Sequence, residues 1–216
     1  YARDVWGWAI ILPTIIKGNT GGTDPYWICT QEISYDGYSI TTYTYENDDH
    51  GNMVKSTTSY GDGPGESYTF TNSYNSEGYM TTSVRSDGVF WSYSFANGKL
   101  YQIGIYDSNG NALALYKRTY DGTSYQVDEY DSDSNLVYSW FYISRNKGSS
   151  AIHYDENGAA DAYMYISYSQ DALTCTEQWT GIYGNSFKNE FDSNGNPIKV
   201  TEYDENGNET GWTEYK

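Results

Sequence analysis

The chain is 216 residues long, which suits one large all-β domain or two small ones. Its 26 tyrosines and 7 tryptophans, spaced by Ser and Thr, favour pleated, half-buried strands over helices. A formal net charge of −17 leaves no basic stripe to offset phosphate, which argues against nucleic acid or an anionic membrane as a partner.

In chain order, Val5-Trp-Gly-Trp-Ala-Ile-Ile-Leu-Pro-Thr-Ile-Ile16 is the most apolar stretch and belongs to no repeat. It falls short of the ~18 apolar residues of a membrane span, and Pro13 interrupts any helix. No other stretch is long enough, so no membrane span is expected. Val5, Trp6, Trp8, Ile10, Ile11, Leu12, Ile15 and Ile16 read as an assembly segment with two possible seats. One is the domain's own core, as a first strand or lid; the other is a neighbouring molecule's sheet, by β-augmentation. Lys17–Pro25 is a Gly-rich loop and hinge. The chain thus divides into 1–25, the apolar N-terminal strand segment with its hinge, and 26–216, a β-hairpin repeat domain.

From Trp27 onward the pattern is strand, turn, strand. Tyr68, Phe70 and Tyr74 share one face opposite Thr69, Thr71 and Ser73. Val89, Trp91, Tyr93 and Phe95 do the same opposite Ser92 and Ser94, the period-2 mark of a strand with one buried face. Leu136–Ile143 and Tyr163–Tyr168 are apolar or aromatic on both faces and call for a covering layer, for which the N-terminal segment is suited. Thirteen turns from Glu46–Asn52 to Asp204–Asn208 imply about fourteen strands. The fold expected is all-β: an antiparallel meander of short hairpin repeats in a rolled or stacked sheet.

The turns repeat. Tyr106-Asp-Ser-Asn-Gly-Asn111, Tyr130-Asp-Ser-Asp-Ser-Asn135 and Tyr154-Asp-Glu-Asn-Gly158 are spaced by 24. Phe191-Asp-Ser-Asn-Gly-Asn196, Tyr203-Asp-Glu-Asn-Gly-Asn208 and Tyr215 are spaced by 12. Twenty-four reads as two strands, and Asn-Gly as a type I′ turn with φ > 0 at both central residues.

These Tyr-Asp-x-Asn-Gly-Asn units resemble YD-repeat proteins of the Rhs and teneurin type over about residues 106–215. The resemblance implies hairpins wound into a spiralling sheet on secreted or surface-displayed proteins. It departs at the family's extra Tyr two residues before Tyr-Asp, where Gly104, Asp128, Ile152 and Thr201 stand here. The chain is also too short for a shell around a toxin, so the encapsulating role is not carried over. Tyr203-Asp-Glu-Asn-Gly-Asn-Glu-Thr-Gly-Trp212 is similar, more weakly, to the aromatic cell-wall-binding repeats of Gram-positive bacteria.

No catalytic residue is singled out. His50 and His153 lie in or beside turns, and no Gly-x-Ser-x-Gly elbow is present. Asp-x-Asn-Gly-Asn puts oxygens at positions 1, 3 and 5, but lacks the Gly at 6 and Glu at 12 of a calcium loop, so no metal or cofactor is expected. Cys29 and Cys175 read equally as a long-range disulfide or as two thiols. Tyr138, Trp140, Tyr142, Tyr163 and Tyr165 are the candidates for an exposed aromatic platform.

The expected function is therefore non-enzymatic: a secreted or cell-surface structural protein, the self-assembling subunit of an extracellular fibre or surface layer, joined by N-terminal or edge-strand addition. Its expected partner is itself. The alternative is a carbohydrate or cell-wall binding module that stacks sugars on aromatic faces. The start at Tyr1 rather than Met reads as a trimmed product, consistent with an extracellular setting.

Overall fold

The structure, a computed structural model, describes residues 30–60, 63, 65–145, 148–168, 174–181, 185–192 and 197–216, some of them by backbone alone. Sixteen strands follow one another: β1 Gln31–Tyr35, β2 Ile40–Asn47, β3 Met53–Tyr60, β4 Glu66–Tyr74, β5 Met80–Arg85, β6 Phe90–Ala96, β7 Lys99–Tyr106 and β8 Ala112–Asp121. The second half is β9 Ser124–Tyr130, β10 Leu136–Arg145, β11 Gly148–Asp155, β12 Ala160–Tyr168, β13 Thr174–Gly181, β14 Ser186–Phe191, β15 Pro197–Tyr203 and β16 Glu209–Tyr215. Each strand pairs antiparallel with the next, because short turns can join only antiparallel neighbours.

The all-β antiparallel meander is as the sequence implies, and it is rolled rather than stacked. Its two ends meet: β1 pairs with β16, Glu32 opposite Tyr215 and Tyr35 opposite Trp212. Beyond the last strand, the amides of Thr30 and Gln31 both donate to the carbonyl oxygen of Lys216, at 2.7 and 3.0 Å. The sheet is therefore a closed barrel. Closure corrects the expectation of open edges, since every one of the sixteen strands has two hydrogen-bonded neighbours. The strand count also exceeds the fourteen implied by the turns.

The spacing of 24 does correspond to two strands. Turns at 107–111, 131–135 and 155–159 all lie on one rim, with 36–39, 86–89 and 204–208. We call this the far rim. Thr30, Lys216 and the turns at 48–52, 75–79, 97–98 and 122–123 lie on the opposite, terminal rim. A spacing of 12 therefore crosses the wall from one rim to the other.

The far-rim turns differ from the expected type I′. In Asp107–Asn111 the Gly110 amide donates to the Asp107 carbonyl at 3.0 Å, and the Asp107 amide donates to the Asn111 carbonyl at 2.9 Å. Only Gly110 has positive φ, at 84°, and the pairing register shifts between Ile105 and Tyr106. This is a type I turn followed by a left-handed residue in a bulge, which also suits the right-handed twist of the strands. Asp107 pre-forms the turn: its Oδ1 accepts from the amides of Asn109 and Asn111, and its Oδ2 from Asn111 Nδ2. Asn97-Gly98, between β6 and β7, does take positive φ at both residues (52° and 72°), as type I′ requires.

The alternation along each strand sorts residues into two walls. Met80, Leu100, Ile103, Tyr116, Val127, Trp140, Tyr142, Ala151 and Met164 form the buried cluster on the inner face. The outer face of β4 exposes Ser67, Thr69, Thr71 and Ser73, that of β8 Lys117, Thr119 and Asp121, and that of β13 Thr176, Gln178 and Thr180.

Candidate functional site

Across β8 to β12 the inner wall is built in rows of directly opposed residues. One row runs Arg118, Val127, Trp140, His153, Ala162, and every member is buried. The next runs Tyr120, Tyr125, Tyr142, Ala151, Met164. On the other side of the first lie Tyr116, Glu129 and Tyr138. Directly opposed side chains stand close enough for rings to stack. Tyr125 and Tyr142 do so, with centroids 4.6 Å apart, and Trp140 leans on His153 at 4.7 Å.

Charges set into this wall are held by specific neighbours. The guanidinium of Arg118 lies 5.8 Å from the Tyr125 ring centroid, a cation–π arrangement. The imidazole Nδ1 of His153 pairs with the Asp161 carboxylate. Burial, reinforced by the charge of Glu129, pushes the Tyr116 phenol well above the usual range. Burial also raises the Tyr125 phenol, with the Arg118 charge acting in the opposite direction. Sequence reasoning missed Arg118; alternation along β8 puts it on the same face as Tyr116 without saying that this face is the inner one.

The five candidate platform residues do not form one platform. Tyr138, Trp140 and Tyr142 point inward, and Trp140 is 1% exposed, so these are wall and core. Tyr163 and Tyr165 stand on the outer face at 39% and 54% exposure, while Ala162 and Met164 between and beside them are buried. The outward rows through these two are Phe141, Ile152, Tyr163, Thr180 and Ile143, Ser150, Tyr165, Gln178. Phe141, Ile143, Ile152, Tyr163 and Tyr165 thus make an uncharged apolar strip across β10–β12, on a barrel whose outside is otherwise mostly hydroxyl, amide and charge. The strip is one accessible aromatic surface, and its two tyrosines were among the candidates.

A second polar cluster sits at the terminal rim. Asp48 accepts from the amides of His50 and Asn52, from Asn72 Nδ2 at 3.1 Å and from the Tyr74 hydroxyl. His50 stacks on Tyr74 at 4.0 Å. Burial alone would raise the Asp48 carboxyl, but these hydrogen bonds outweigh it and hold it below its usual value. The arrangement locks the β2–β3 turn to β4. Among the described residues, no group of three or more His, Cys, Asp or Glu is placed to hold a metal ion. Val5, Trp6, Trp8, Ile10, Ile11, Leu12, Ile15 and Ile16, and any pairing of Cys29 with Cys175, lie outside the described residues.

No family model matches the chain, and no curated protein matches it in sequence. Two solved structures share the fold. A porin-like protein from Bacteroides uniformis ATCC 8492 superposes with a TM-score of 0.58 at 11% identity, over 87% of this chain and 96% of that one. A porin-like protein from Bacteroides vulgatus ATCC 8482 gives 0.51 at 10% identity, over 88% and 98%. A TcdB2-TccC3-TEV structure overlaps at a TM-score of 0.37 and 15% identity, over 81% of this chain and 10% of that chain. The first two likenesses show the fold, an all-β sheet of this size; the third is too loose to argue from.

Proposed function

We propose that this chain is a non-enzymatic structural protein of the cell surface or extracellular space that assembles with copies of itself through Val5–Ile16. The observation that carries this reading is closure: residues 31–215 complete the sheet with every strand paired on both sides. The barrel's hydrogen-bond ladder has no vacancy for a first strand from the apolar segment. The same closure leaves no seat for edge-strand addition, so assembly falls to the segment alone.

The outer wall supports a water-facing setting. A barrel that spans a bilayer needs an outward apolar band about 25 Å tall. Thr69 and Thr71 on β4, and Lys117 and Thr119 on β8, are exposed where such a band would run. The aromatic, acidic composition and the porin-like neighbours support the surface as the location. The buried His153 that pairs with Asp161 is packed against Tyr138 and Trp140, which suits a structural more than a catalytic use.

Exposed Tyr163 and Tyr165 beside Gln178 and Thr180 favour a second reading, a glycan or cell-wall binding face. Light scattering separates the two. The full chain should form particles of many copies, and Trp6→Ser with Trp8→Ser and Ile11→Ser should reduce them to single chains. A native chain that stays monomeric at all concentrations, yet binds cell-wall glycan through Tyr165, would reverse the order of the readings.

A further inference from the structure

We infer that the outer strip Phe141, Ile143, Ile152, Tyr163 and Tyr165 is the seat of the segment Val5–Ile16. The inference deepens the assembly reading by naming the surface that receives the segment, and rests on that reading for its occupant.

Three observations converge. The first is the need for cover. On their inner face these strands are already sealed, with Trp140, Ala151, Ala162 and Met164 all buried. Their outer face carries five apolar side chains where the exposed outward residues of β4 are Ser and Thr. A contiguous apolar patch on a polar wall marks a contact surface.

The second is reach. The chain leaves the barrel at Thr30, held to Lys216 on the terminal rim, and Tyr165 lies three residues from the end of β12 on that same rim. β12 is five strands from β1 around the sheet, roughly 24 Å at ~4.8 Å per strand. Ile16 and Thr30 are fourteen positions apart, up to about 46 Å when extended. The hinge Lys17–Pro25 is therefore long enough to carry the segment to a strip on its own barrel or on one set beside it.

The third is charge. Residues 1–25 contain Arg3 and Lys17 against Asp4 and Asp24, a net of zero, and Val5–Ile16 holds no charged residue, so the whole −17 lies in residues 26–216. Two such barrels repel, but an uncharged apolar segment is not repelled, and the strip it meets is uncharged from β10 to β13. Tyr163 and Tyr165 offer flat faces to Trp6 and Trp8, while Ser150, Gln178 and Thr180 offer polar partners to an extended backbone.

The test uses the full chain. A photoreactive phenylalanine analogue replaces Tyr165, an exposed position that takes an aromatic without repacking, and in a control replaces Thr71 on the outer face of β4. Unlabelled and 15N-labelled chains are mixed before irradiation, and products are read by mass spectrometry. The expected result is crosslinks from position 165 to residues 5–16 at least tenfold above those from position 71, including mixed-isotope pairs. Same-isotope pairs alone would keep the seat and overturn self-assembly. Large particles with no excess of crosslinks from position 165 would overturn the seat and keep self-assembly.

Discussion

Ser134 occupies the left-handed position of its turn, where the equivalent turns one repeat away on either side carry Gly110 and Gly158. Its φ is 67°, against 84° at Gly110 and 79° at Gly158. The hydrogen bonds are the same: the Ser134 amide donates to the Asp131 carbonyl at 3.1 Å, and Asp131 Oδ1 accepts from the amides of Asp133 and Asn135. Only the Cβ differs. The left-handed region costs a non-glycine residue roughly 1–2 kcal/mol. Glycine gives back part of that, about 0.4–1 kcal/mol, through its freer unfolded chain. Ser134→Gly should therefore stabilise the barrel by about 0.5–1 kcal/mol. Gly110→Ser should cost a similar amount, with no steric addition, because nothing lies within 4 Å of a Cβ built there. For a chain of this length 1 kcal/mol moves the melting midpoint by roughly 2–4 °C. Thermal unfolding followed by near-UV circular dichroism reads both variants. If Ser134→Gly lowered the midpoint, or Gly110→Ser left it unchanged, the assignment of these turns as type I with a left-handed bulge would be wrong.

Trp140→Ala tests the inner wall. It empties a fully buried indole site beside His153 and Tyr142 and should cost about 3–5 kcal/mol in urea unfolding, whereas Thr71→Ala on the exposed outer face of β4 should stay within about 0.5 kcal/mol. Equal costs would mean that Trp140 does not stand in a packed interior. Acid should weaken the far rim first. The carboxyls of Asp36, Asp107, Asp131, Asp155 and Asp204 are each held below the usual 3.8 by side-chain or backbone hydrogen bonds in their turns. A depressed folded value means stability that is present above 3.8 and lost as pH falls through and below it. Amide exchange at Gly110, Gly158 and Gly207 should accelerate across that window before the Val127 and Trp140 amides do; uniform acceleration would refute the local origin.

Much of the fold is legible in the sequence because its signals are local. Asp-x-Asn-Gly-Asn names both a turn and the carboxylate that pre-forms it, and the 24-residue spacing follows from hairpins of two similar strands. The connection after Tyr168 went unread because Ser169-Gln-Asp-Ala-Leu173 contains no Gly, Pro or Asn. The first turn, at Tyr35–Gly37, is legible but stood outside the thirteen. Together these account for sixteen strands in place of fourteen. The two-sided character of Leu136–Ile143 and Tyr163–Tyr168 called for cover on both faces; among the described residues the inner face is buried, while Tyr163 and Tyr165 stand exposed on the outer one. Period 2 alone could not say which face was the inside, so Trp140 and Tyr165 were grouped although they lie on opposite sides. Closure was beyond reach for a different reason. Pairing β1 with β16 joins residues about 180 positions apart, and no local propensity encodes it.

One residue does carry a trace of that closure. Gly211 lies inside β16, where a glycine weakens a strand unless another backbone comes close. A Cβ built on Gly211 would stand 2.5 Å from the Tyr35 carbonyl oxygen and 3.5 Å from the Asp36 Cα, both main-chain atoms of the opposite side of the seam. A side chain could rotate away from such a contact, but a paired strand end cannot without loosening its ladder. Gly211→Ala should therefore part β1 from β16 locally, at an overpacking cost of about 1–3 kcal/mol. Hydrogen exchange at Tyr35 and Trp212, which pair across the seam beside Gly211, should rise at least tenfold while that at Val127 and Trp140 holds. An opened seam also exposes two unpaired edges, so the variant should aggregate by a route that the Trp6, Trp8 and Ile11 substitutions do not block. Exchange unchanged at Tyr35 would show that the barrel does not depend on this close approach. Aggregation abolished by the segment substitutions would show that a parted seam recruits Val5–Ile16 instead of a second edge.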